Sequence, residues 1–78
     1  MIQVMGSTAE KLMGTTAEKL YRRRREAGLS QTELSEASGV AQSTIASIER
    51  GKHTKPHPKT LRKLAASLGV KVTDLLED

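Results

Sequence analysis

The side chains best placed to do chemistry lie in residues 31–50, QTELSEASGVAQSTIASIER, and the chemistry they offer is hydrogen bonding. Two short amphipathic segments flank a Ser-Gly-Val turn. Counting from Gln31, position five is small Ser35, position nine is Gly39, and positions fifteen and eighteen are Ile45 and Ile48. A small residue lets two helices touch, glycine accepts a positive φ at the turn, and the isoleucines seat the second helix. The pattern predicts two helices crossing steeply, with the second free to lie in a DNA groove. A helical hairpin with no DNA role is the plainer alternative, and the basic surround weighs against it.

Other chemistry finds little support. No Ser/His/acid spacing, phosphate loop or carboxylate pair stands out, so no enzymatic activity is expected. The chain has no cysteine, which excludes disulfides and thiolate zinc sites. That suits a reducing compartment, and a cytoplasmic location is expected. His53 and His57 stand four apart, but Pro56 interrupts them. Neither a metal site nor a cofactor is expected. Thirteen Lys and Arg against nine Asp and Glu give a net charge of +4. Residues 1–16 hold only Glu10 and Lys11 as charges, so the whole excess belongs to residues 17–78. A small basic domain points to a polyanionic partner, most often nucleic acid. No apolar run is long enough to span a membrane, and no signal-peptide pattern opens the chain.

These side chains need a scaffold, and 78 residues with one aromatic, Tyr21, allow one small all-helical domain built on Leu, Ile, Val and Ala. A first helix is predicted over Ala17–Ala27, with Ala17, Leu20, Tyr21 and Arg24 on one face and Gly28 just past its end. Ser30 and Glu33 form a capping box that starts a second helix at Gln31. Leu34, Ser35 and Ser38 face inward on it, and Gly39 stops it. The third helix, Gln42–Arg50, turns Ile45 and Ile48 inward and ends at Gly51. Gln42, Ser43, Ser47 and Arg50 face outward or to the edges. A basic loop, residues 52–58, holds both prolines. Pro58 opens a fourth helix to Leu68 with Leu61, Leu64, Ala65 and Leu68 inside, and Gly69 caps it. Val72–Glu77 reads as a short fifth helix, and no sensing or catalytic domain is expected beyond it. Before this domain, MGSTAEKL (5–12) is repeated as MGTTAEKL (13–20), each with an S/T-x-x-E helix start, at Ser7 and Thr15. The repeat reads as a duplication that leaves a redundant start to the helix. Alternatively it adds a helical turn, or an arm that touches a partner subunit or DNA, and its lack of excess charge weighs against wrapping DNA. Residues 1–16 are therefore an extension to a domain over 17–78.

GLSQTELSEASGVAQSTIASIERGK and LRKLAASLGVKVTDLL resemble the lambda-repressor-like, Cro/CI-type helix-turn-helix family over roughly residues 17–76. The resemblance implies a compact five-helix domain that binds double-stranded operator DNA, usually as a homodimer on an inverted repeat. It implies that Gln31 binds a phosphate and braces the third helix, and that Gln42 reads adenine. A carboxamide offers one donor and one acceptor to adenine N6 and N7. Ser43 and Ser47 take neighbouring base-facing positions, and Thr44 reaches a phosphate or a thymine methyl. Arg50 and the loop residues Lys52, Thr54, Lys55 and His57 complete the DNA-facing set, with His57 near the minor groove. Arg24 matches a family arginine that pairs with a glutamate near the end of the third helix, here Glu49. The departures are Ser35 for the usual alanine, and Ala41 and Lys71 where capping residues are common. The missing cap at Lys71 leaves the fifth helix marginal. The implied role is a transcriptional regulator, such as a small repressor or controller protein. An antitoxin holding a toxin protein is the alternative, with exposed Leu75 and Leu76 or the Met1–Met5 arm as its contact surface.

Overall fold

A computed structural model describes residues 14–52 and 55–77. Over these residues the chain is all-α: α1 (Thr16–Glu26), α2 (Gln31–Ser38), α3 (Gln42–Glu49), α4 (Pro58–Leu68) and a closing 3-10 turn, Val72–Leu75. Local sequence sets each boundary. Thr15 caps α1, its Oγ1 accepting from the Glu18 amide at 3.1 Å. The second copy of the repeated octapeptide therefore supplies the helix start, and the first copy lies outside the described residues. Glu18 in the first turn and arginines in the last complement the helix dipole. Ser30 and Glu33 form the reciprocal capping box of α2. The Glu33 amide donates to Ser30 Oγ at 3.0 Å, and the Ser30 amide to Glu33 Oε1 at 2.8 Å.

Gly39 ends α2 at φ 78°. A Cβ built on it meets nothing within 4 Å, so the glycine is required by the backbone angle and not by crowding. The resulting turn sends α3 across α2 and against α1. No side chain caps α3, because Ala41 occupies that position with extended backbone, φ −57° and ψ 140°. Ala41→Ser is expected to stabilise the domain by about 0.5–2 kcal/mol, because a serine hydroxyl there can accept from a first-turn amide. A thermal melt checks this. An unchanged midpoint would mean that the helix start is already satisfied.

One cluster forms the core: Leu20, Leu34, Val40, Ile45, Ile48, Leu61, Leu64, Ala65 and Leu75, so every element contributes. Two expectations fail at its edge. Tyr21, expected on the inner face of the first helix, is 41% exposed, while Leu20 and Arg24 carry that face inward. The fifth helix is a four-residue 3-10 turn. Lys71 offers no capping acceptor, β-branched Val72 and Thr73 follow it, and a segment this short cannot meet the cost of helix nucleation. Asp74 restrains the turn instead, its carboxylate accepting from the Lys71 amide at 3.0 Å. The turn buries Leu75 completely, leaving only Leu76 exposed. Leu75 is therefore no part of a contact surface.

Candidate nucleic-acid interface

The interface is built outward from one buried guanidinium. Arg24 on α1 points into the body of the domain and is 6% exposed. Its Nε donates to Glu49 Oε2 at 2.7 Å and its Nη2 to Glu49 Oε1 at 2.9 Å, a bidentate pair joining α1 to the end of α3. Its Nη1 donates to the Leu29 carbonyl at 2.8 Å, in the turn between α1 and α2. The hydrogen bonds to Glu49 raise the arginine's pKa above its ordinary value, and burial opposes them.

Two carboxamides extend the pair to the surface. Gln31 Nε2 donates to Glu49 Oε1 at 3.0 Å. Gln42 Nε2 donates to Gln31 Oε1 at 2.8 Å. The direction of this chain is dictated chemically. Arg24 can only donate and the Glu49 carboxylate can only accept, so Gln31 must turn its NH2 to Glu49 and its oxygen to Gln42. Gln42 is left with its Oε1 and one N–H, on the exposed first residue of α3. One acceptor beside one donor is the edge that pairs with adenine in the major groove. Gln31 likewise retains one N–H.

The remaining residues of the expected DNA-facing set are distributed as follows. Ser43 is exposed on the first turn of α3, whereas Thr44 and Ser47 are half-buried. Arg50, Lys52, Lys55 and His57 are exposed. Thr54 lies outside the described residues, as does His53 of the histidine pair. His57 has a structural task beyond the expected one. Its Nδ1 accepts from the Lys59 amide at 3.1 Å and caps α4, leaving only Nε2 for a partner. Histidine is not among the usual capping residues, so nothing in the sequence pattern marks this role.

Charge sorts differently from its appearance in the sequence. The run Arg22–Arg25 is largely engaged within the domain. Arg23 lies 3.7 Å from Glu26 and 3.9 Å from Asp74, Arg24 holds Glu49, and Arg25 donates to the Tyr21 hydroxyl at 2.9 Å. Among the described residues, Arg22 and Arg25 form no ion pair, and neither do the dispersed cations that follow. Residues 50–73 contain seven Lys and Arg and no Asp or Glu. Arg50, Lys52, Lys55, Lys59, Arg62 and Lys63 are all exposed. Among the described residues, the ion pairs formed are those of Arg23 and Arg24, and none involves these six. Lys59, Arg62 and Lys63 are not among the expected candidates, although the acid-free composition of the stretch marks them. Among the described residues, no group of three or more His, Cys, Asp or Glu could hold a metal ion, and no helix is long and apolar enough to cross a membrane.

Comparison with known proteins identifies the family. The helix-turn-helix family model matches residues 20–75. The chain is 43% identical over 58 residues to the HTH-type transcriptional regulator SlrR of Bacillus subtilis, covering 74% of this chain and 37% of that one. It is 46% identical over 55 residues to the HTH-type transcriptional regulator SinR of the same organism, covering 70% of this chain and 50% of that one. It is 44% identical over 55 residues to the uncharacterized HTH-type transcriptional regulator y4dJ of Sinorhizobium fredii, covering 70% of each chain. The match thus spans half or less of the length of SlrR and SinR. The chain belongs to the Cro/CI-type, lambda-repressor-like helix-turn-helix family, a family of transcriptional regulators and not of enzymes.

Proposed function

We propose that this protein is a sequence-specific DNA-binding transcriptional regulator that inserts α3 into the major groove. The observation that carries the reading is the hydrogen-bonded chain Arg24–Glu49–Gln31–Gln42, which ends on an exposed glutamine whose carboxamide has one N–H and its oxygen unused by the chain. In this reading Gln42 contacts adenine, Ser43 and Ser47 contact neighbouring bases, and Thr44 contacts a phosphate or a thymine methyl. The free N–H of Gln31 meets a phosphate, as do Arg50, Lys52, Thr54, Lys55 and His57. The chain works as a homodimer whose two copies of α3 meet successive major grooves of an inverted repeat, about 34–36 Å apart. Residues 1–16 form an extension ahead of the DNA-binding domain at 17–78 and lend it the Thr15 cap. The names of the bacterial relatives support regulation as the role, and hence a place in the cytoplasm with the DNA.

Selection of binding sites from a random DNA pool tests the reading. On the selected site, Gln42→Ala is expected to lose about 1–3 kcal/mol of discrimination, with non-specific affinity and salt dependence unchanged. Converting Arg50, Lys52 and Lys55 to Gln is expected to weaken both kinds of binding. It should also flatten the plot of log K against log salt by about 0.9 for each phosphate that is no longer neutralised. A Gln42→Ala variant that discriminates as well as the parent would remove α3 from the role of reader.

A further inference from the structure

The single aromatic side chain of the protein has no place in the core and no expected contact with DNA. Tyr21 is 41% exposed, yet it is not free. The guanidinium carbon of Arg24 lies over its ring at 5.3 Å from the centroid, and that of Arg25 at 5.5 Å. Arg25 Nη1 also donates to the Tyr21 hydroxyl at 2.9 Å, which pins the ring from its polar end. The hydrogen-bonding edges of Arg24 go to Glu49 and to the Leu29 carbonyl. Those bonds use three of its five N–H groups, and the guanidinium carbon stands over the tyrosine ring.

We propose that Tyr21 is a positioning residue for base reading by α3. Its ring covers the face of Arg24, keeps water from the Arg24–Glu49 pair, and so holds the Glu49 carboxylate that orients Gln31 and, through it, Gln42. A cation held over an aromatic face is attracted by the ring quadrupole, and the attraction grows as the contact is desolvated. Hydrogen bonds linked in series polarise one another, so disorder at Arg24 is passed along the series. The proposal rests on Gln42 being the base reader, and it ties a residue of α1 that touches no DNA to the choice of base.

The test uses the full chain, with Tyr21→Leu, Tyr21→Phe, Arg25→Gln and Gln42→Ala. One readout needs no DNA: the NMR signals of the Arg24 Nε–H and of the Gln31 and Gln42 side-chain amides. Tyr21→Leu is expected to speed exchange of the Arg24 Nε–H with water and to move both glutamine signals. On DNA it is expected to lower the ratio of specific to non-specific affinity by about two- to ten-fold. Tyr21→Phe keeps the ring and restores most of the ratio. Arg25→Gln unpins the ring and moves the same signals less far. Unchanged glutamine signals in both Tyr21→Leu and Arg25→Gln overturn the proposal, as does an equal loss of specific and non-specific binding. If Gln42→Ala leaves the ratio intact, the base-reader assignment is what falls, and the amide signals still judge the link from Tyr21 to Gln42.

Discussion

Glu49→Ala is expected to cost the domain about 3–5 kcal/mol, the usual result of stranding one partner of a buried ion pair. The side chains of Arg24 and Glu49 are 8% and 5% exposed, so neither charge can turn to solvent when the other is removed. Arg24 would keep only its bond to the Leu29 carbonyl. At about 0.05–0.15 kcal/mol per residue, a chain of this length has roughly 4–12 kcal/mol in total, so the loss removes at least about a quarter of it. A urea titration followed by circular dichroism measures this, and a loss below about 1 kcal/mol, typical of an exposed pair, would contradict it. The raised pKa of Arg24 gives the sign of the pH dependence. Its contribution is fully present below the ordinary arginine range and is lost only as pH climbs through the folded-state value, so the pair is intact at neutral pH. The double variant Arg24→Met with Glu49→Leu separates fold from function. Well-packed apolar replacements of a buried pair are often close to neutral for stability, but Gln31 would lose its acceptor and Gln42 its bracing. A folded protein that no longer discriminates between DNA sites is the expected outcome.

The parts legible in the sequence were those governed by neighbours a few residues apart. The start and end of α2 and of α4, and the start of α3, follow from a capping box, from Pro58 and from Gly39 and Gly69, all short-range signals. Arg50, expected as the last residue of α3, is its C-cap. What was not legible depends on crossing geometry or on small energy differences. Periodicity groups Tyr21 with Leu20 and Arg24, but it cannot separate the centre of a buried stripe from its rim, where cations on the same helix hold the ring. The closing 3-10 turn reflects a balance between helix and extended backbone that β-branched Val72 and Thr73 tip by fractions of a kcal/mol each. Gln31 and Gln42 are eleven residues apart, and only the Gly39 turn makes them neighbours. Of the arginine run, Arg24 is buried against Glu49 while Arg25 stays exposed, and the approach of Arg23 to Asp74, remote in sequence, had no signal in the spacing.

Ile48→Ala is expected to be nearly as damaging, at about 2–5 kcal/mol, for a reason that connects the core to the interface. An isolated helix of eight residues is unstable in water, and α3 has no side-chain cap, so tertiary contacts must hold it. Its buried anchors are Ile45 and Ile48, both at 0% exposure, in one cluster with Leu20, Leu34 and Leu64. Truncating Ile48 removes buried methylenes and leaves a cavity that a close-packed interior fills only in part. Ile48→Val keeps most of the packing and should lose only about 0.5–1.5 kcal/mol. Because Glu49 is the next residue, a loosened Ile48 also displaces the carboxylate that Arg24 and Gln31 share. Ile48→Ala and Glu49→Gln should therefore be non-additive by more than about 0.5 kcal/mol in a double-mutant cycle, whereas sites without shared partners add within that margin. Equilibrium unfolding of the two single variants and the double variant decides it. Strict additivity would mean that the core holds α3 without setting where Glu49 sits, and the orientation of Gln42 would then rest on the polar chain alone.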